Sequence, residues 1–197
     1  MLRSKTLVLF LVKAALIYGV LSLPFSFYDA SYGKFYRKMA GSFFSSFRET
    51  GFVRFREMPD PAKTRVNLGN KLQIRPGGKA HTAFVDINTR YLGYIPTILI
   101  ASLALASPVP WKRRLIALAA GLILVTLMIM FKQWIALLWL SEVSPFLELT
   151  HFTGLGKKIL TFLNTFIAES SSSLLYFVVG VWLLVTFRIS DFSGGRT

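Results

Sequence analysis

Residues 91–140 hold two long apolar runs joined by the basic hinge Pro108-Val109-Pro110-Trp111-Lys112-Arg113-Arg114. Runs of this length need lipid or each other as a partner, while three consecutive cations have to stay at water or headgroup level. The hinge therefore constrains the side of a bilayer on which every flanking segment lies. Its basic triplet, Lys112, Arg113 and Arg114, is the chain's clearest topology signal.

The rest of the chain fits that setting. Of its 197 residues, 53% are hydrophobic, and a mean hydropathy of +0.53 is high for a soluble domain. The expectation is an integral membrane protein, mainly α. The formal net charge is +14, so the parts outside the apolar layer are strongly basic. Anionic membrane lipids, an acidic polymer or an acidic protein partner would suit such a surface. Basic residues also collect beside spans simply to set topology. There is no Cys, which excludes disulfides, thiolate metal sites and Cys nucleophiles. With only His81 and His151 in the chain, a His-based metal site would need carboxylates. No metal or other cofactor is expected.

Taken in order, residues 6–25 form an apolar run behind Arg3 and Lys5, long enough to span, with Lys13 its only charge. A signal peptide has the same start, but Phe25-Ser26-Phe27-Tyr28 is bulky where small residues precede cleavage, which favours an uncleaved anchor. Lys13 is read as snorkelling toward the basic end or facing a partner helix. Residues 28–90 are read as an external region. Tyr28, Tyr32, Phe35, Tyr36, Met39, Phe43 and Phe47 recur at helical spacing beside Lys34, Arg37, Lys38 and Arg48. The pattern predicts an amphipathic helix, lying at the lipid interface or packed on the small domain C-terminal to it.

From Gly51 the period becomes alternating, with Val53 and Phe55 interleaved with Arg54 and Arg56. Gly69-Asn70 reads as a hairpin turn and Pro76-Gly77-Gly78 as another, giving a small antiparallel sheet of three or four strands. Such a sheet needs something to pack on.

Residues 91–107 form the second expected span, entered through Tyr91, Tyr94 and Pro96, with a small-residue surface at Ala101, Ser102, Ala104 and Ala106. Residues 115–136 form the third. Residues 141–169 are an external loop with an amphipathic helix on the sheet's side, and 171–187 form the fourth. The overall expectation is a four-helix transmembrane bundle with a small antiparallel β domain and amphipathic helix inserted between spans 1 and 2. Charge bias places both termini on the cytoplasmic side of a multi-pass membrane protein, with the β domain outside.

Chemistry is sparse. No Asp or Glu sits in a span centre, which disfavours an ion-coupled transporter. The candidate polar groups are His81, Asp86, Glu142, Glu148 and His151, all read as external, of which His151, Glu148 and Glu142 share one loop and could form an acid/base or metal constellation. Nucleotide-binding and base-reading motifs are absent, so no nucleic acid partner is expected. The basic set Lys34, Arg37, Lys38, Arg48, Arg54 and Arg56 is the candidate surface for a lipid or protein partner.

Phe84-Val85-Asp86-Ile87-Asn88, then Gly93-Tyr94-x-Pro96, an Ala- and Leu-rich run, and Pro108 before a basic turn resemble part of the small accessory membrane proteins that accompany exosortases in Gram-negative bacteria. The resemblance implies a non-catalytic accessory or scaffold subunit of a cell-envelope protein-processing or export complex, with a membrane protein as partner. It transfers no functional residue. A membrane-surface enzyme using the His/Glu pair and a lipid- or polyanion-binding module are the alternatives.

Overall fold

A computed structural model describes residues 2–23, 25–74, 80–169, 176, 179–183 and 186. Helix α1 (Leu2–Ser22) is followed by α2 (Phe25–Phe43). Strands β1 (Ser46–Phe47), β2 (Gly51–Glu57), β3 (Lys63–Ile74) and β4 (Ala80–Asn88) form one antiparallel sheet in chain order. A π-helical turn, Arg90–Tyr94, leads into α3 (Ile95–Ala106). Beyond the hinge run α4 (Trp111–Val143), a short 3-10 turn and α5 (Gly154–Glu169).

The expected four-helix transmembrane bundle is not what the described residues form. Two helices, α1 over Lys5–Ser22 and α4, are long and apolar enough to cross a bilayer. The apolar helix Arg90–Ala106 is shorter, about 25 Å end to end at 1.5 Å per residue. The expected fourth span, 171–187, lies largely outside the described residues.

Helix α4 also runs well past the expected bounds of the third span, 115–136. At 33 residues it measures about 50 Å, some 20 Å more than a hydrocarbon layer. Its first part packs on α3 through Ala117, Gly121, Val125 and Ile129. Its last part leaves that environment and serves the sheet, with Ile135, Leu137, Leu138 and Leu140 in one core with Phe47, Val53, Val66, Leu68 and Ala83. A single helix thus belongs to two layers, and the undersized sheet gains the packing surface it needs.

α1 runs antiparallel to α3. Phe10 and Ala14 meet Ala106 at one end, and the Tyr94 hydroxyl donates to Leu21 O, 3.1 Å, at the other. The outward side of these helices remains apolar: Val8, Leu16 and Val20 of α1 and Ile116, Ile123 and Leu127 of α4 are all more than half exposed. Against water such a surface would cost roughly 25 cal/mol per Å².

The sheet departs from its expected turns. Gly69-Asn70 is no hairpin; β3 runs straight through it, paired with β2 as far as Asn70, and its pairing with β4 shifts register between Gly69 and Ile74. Glycine is needed at 69 because a Cβ there would come 2.5 Å from the Phe52 ring. Asn70 is turned inward, donating from Nδ2 to Leu147 O at 2.8 Å. Gly51 follows the tight return from β1 instead, preceded by Arg48 in the left-handed region at φ 54. Pro76-Gly77-Gly78 lies outside the described residues.

Candidate functional site

Four regions hold the residues that sequence reasoning singled out. At the junction between helices and sheet, α2 turns Tyr36 and Ala40 fully inward and Tyr32 and Met39 partly so, while Phe35 and Phe43 stay exposed with Lys34 and Lys38. The aromatic residues thus do not share one face. Tyr32 stacks edge-on against Tyr94, ring centroids 5.7 Å apart, and Tyr36 against Phe55, 6.1 Å. The Tyr36 hydroxyl donates to Gln133 Oε1 at 2.7 Å. Burial pushes both phenols up, Tyr32 to about 12 despite a hydrogen bond with Thr97 and Tyr36 further still, so both are neutral donors at physiological pH.

Asp29 and Arg90 clasp the same junction. Asp29 is 2% exposed and receives the Arg90 guanidinium in a forked pair, which raises the Arg90 pKa through that hydrogen bond. Asn88 supports the turn beside it, its Oδ1 accepting the Arg90 N–H at 3.1 Å. Gly93 leaves room for the Tyr32 hydroxyl. Asn88, Gly93 and Tyr94, which carry part of the resemblance to exosortase-accompanying proteins, therefore have structural work at this corner. Sequence reasoning missed Asp29 and Arg90, since 61 positions separate them and neither stands in a pattern.

The six basic candidates do not converge. Arg37 is tied to Glu57 at 3.1 Å and is largely covered. Arg48 holds its guanidinium 5.9 Å from the Phe152 ring. Lys34 and Lys38 are exposed on α2. Arg54 and Arg56 sit on the sheet's outer face, where strand pairing sets Arg65 directly opposite Arg56. Arg54 lies 5.1 Å from the Phe52 ring and Arg65 4.5 Å from that of Phe84. Asp86 answers Arg65 through two hydrogen bonds of 2.7 and 2.9 Å, and this bond holds its carboxyl below the usual range. Arg65 was the missing member of this face. Alternation gives its phase within β3, but only strand register puts it beside Arg56.

The loop between α4 and α5 is structural rather than convergent. Glu142 pairs with Lys157 at 3.1 Å and accepts the Phe152 N–H at 3.0 Å, clasping the end of α4 to the start of α5. His151 and Glu148 are exposed, Glu148 in the left-handed region at φ 50. Among the described residues no three His, Asp or Glu come together to hold a metal. His81 is exposed on β4.

At the hinge, Lys112 is exposed, Arg113 donates to Thr186 O at 3.2 Å, and Arg114 donates to Val109 O at 2.8 Å and Leu105 O at 3.1 Å. Arg114 so satisfies a carbonyl in the last turn of α3, a favourable place for a cation. The small-residue reading of α3 holds at Ser102, Ala104 and Ala106, all buried. Comparison with known proteins adds nothing to this geometry: no protein-family model, no curated protein and no solved structure matches the chain.

Proposed function

We propose that the chain is a membrane-anchored, non-catalytic accessory or scaffold subunit of a bacterial cell-envelope protein-processing or export complex. The observation that carries this reading is the sharing of α4. One helix has an exposed apolar face fit for lipid along its first part and forms the core of the β-sheet with its last. The sheet is thereby held rigidly at one end of the helices, with an aromatic and cationic outer face directed at a partner. The resemblance to exosortase-accompanying proteins supplies the kind of complex.

The seat proposed is the bacterial inner membrane. The start of α1 and the hinge share one end, since Thr6, Leu9 and Phe10 line a cavity together with Leu105, Pro108 and Arg114. The positive-inside rule makes that basic end cytoplasmic and the sheet external. The packing of α1 on α3 supports its retention as an anchor. An enzymatic role for His151, Glu148 and Glu142 has little support, because Glu142 is engaged in the loop's own clasp.

Purification of the tagged chain from native membranes in mild detergent tests the reading. The expected result is a stoichiometric membrane protein partner that Arg54→Glu/Arg56→Glu releases while the chain stays membrane-bound. A chain that elutes alone under all conditions, and whose deletion leaves envelope protein processing unchanged, would sink it.

A further inference from the structure

Between α1 and the hinge lies a cavity of about 120 Å³, with room for a handful of water-sized groups. Its polar lining is Thr6, Lys13, Ser107 and Arg114, its walls include Leu9 and Phe10, and no carboxylate is among the described lining residues. Among the described residues, two cations therefore face one apolar-walled groove without a countercharge in it.

The two are held there in different ways. Lys13 stands on the otherwise apolar outward side of α1, between exposed Val12 and Leu16, where an unpaired ammonium is unfavourable. Arg114 is fixed by its bonds to Val109 O and Leu105 O through Nε and Nη1, which leaves the Nη2 side of its planar fork to bind a tetrahedral oxyanion.

We propose that this groove binds the phosphate of an anionic phospholipid, with Lys13 and Arg114 on the headgroup and the acyl chains running deeper along exposed Leu16 and Val20. The commitment to a lipid comes from the surroundings: the groove opens onto the exposed apolar side of α1, where a soluble acidic partner would have to desolvate. The inference rests on the proposed membrane seating. It assigns Lys13 a partner that neither snorkelling nor helix packing provides.

The full chain is reconstituted into vesicles of equal phosphatidylglycerol and phosphatidylcholine, extracted in mild detergent, and its retained lipids are counted by native mass spectrometry. Wild type is expected to retain phosphatidylglycerol preferentially. The preference falls roughly fivefold in Lys13→Gln, the worth of one cation beside an anionic surface, and survives in Lys13→Arg. Arg114→Gln is expected to act likewise, and if it misfolds through loss of its carbonyl contacts, Lys13→Gln alone decides. Equal retention of the two lipids, or a preference untouched by Lys13→Gln, overturns the proposal. Displacement of the bound lipid by millimolar inorganic phosphate does so too, in favour of a free-phosphate site. A chain that fails to enter the vesicles defeats the membrane seating itself, an outcome distinct from entry without lipid preference.

Discussion

The Tyr36 hydroxyl meets Gln133 Oε1 at 2.7 Å across 97 positions of sequence, joining α2 to α4 where α4 passes from the helices to the sheet. Gln133 is 1% exposed; among the described residues its Oε1 has the Tyr36 hydroxyl and its Nε2 has no partner. Tyr36→Phe should therefore destabilise the protein by about 1–3 kcal/mol, the cost of a buried acceptor left unsatisfied. Tyr36→Phe/Gln133→Leu should recover part of it. Unfolding in mixed micelles measures both, and additive effects of the two substitutions would contradict the coupling.

Gly121 lets α3 approach α4 closely. A Cβ at 121 would lie 2.6 Å from Ile100 Cγ2 and 2.9 Å from Trp182. Gly121→Ala should cost about 1–3 kcal/mol through overpacking. Combined with Ile100→Ala it should cost less than the sum, because the smaller side chain gives back the space. The same melts test this.

Asp29→Ala should destabilise by about 3 kcal/mol, the lower end for breaking a buried pair, because Arg90 keeps part of its hydration with its side chain 33% exposed. Arg90→Lys should lose much of the pair as well, since an ammonium cannot reproduce the fork. Thermal melting of the variants at neutral pH reads both effects.

Asp86 makes stability sensitive to acid. Its folded-state pKa is depressed by Arg65, so the pair's contribution is present above the ordinary carboxylate value and is lost as pH falls through the lowered one. Asp86→Asn should lower the melting temperature slightly at pH 7, where the pair is intact, and converge on wild type below about pH 4, where the wild type itself loses the contribution, so that the acid limb flattens. The effect should be small and reduced by salt, as both side chains are about a third exposed, 38% and 34%.

Within the loop between α4 and α5 the two exposed candidates should be expendable. His151→Ala and Glu148→Ala should fully complement a deletion strain. Glu148→Gly should keep or raise stability, since glycine adopts the left-handed conformation that a side chain resists by about 1–2 kcal/mol. Glu142→Ala should instead lower the melting temperature by freeing Lys157 and the Phe152 amide. Loss of complementation by His151→Ala in a fully folded chain would revive the enzymatic reading.

Local pattern was enough for much of the fold. Helical spacing from Tyr28 located α2, alternation around Val53 and Phe55 located the sheet, and the hinge at Pro108 located the break between α3 and α4. It failed where one pattern served two ends. Gly69-Asn70 carries a turn signature, yet the glycine answers the Phe52 ring and the asparagine answers Leu147 O, partners 17 and 77 positions away. The uninterrupted apolarity of α4 reads as a span and gives no sign that its last turns face strands rather than lipid.

By itself the sequence determined the elements, the basic hinge and the apolar surfaces, because these depend on periodicity and charge along a short stretch of chain. Tertiary structure alone decided that α4 spans two environments, that Arg65 joins Arg54 and Arg56, that Glu142 is a clasp, and that Lys13 shares a groove with Arg114. Each of these depends on contacts between residues distant in the chain, whose pairing is fixed by packing and strand register and leaves no local signal.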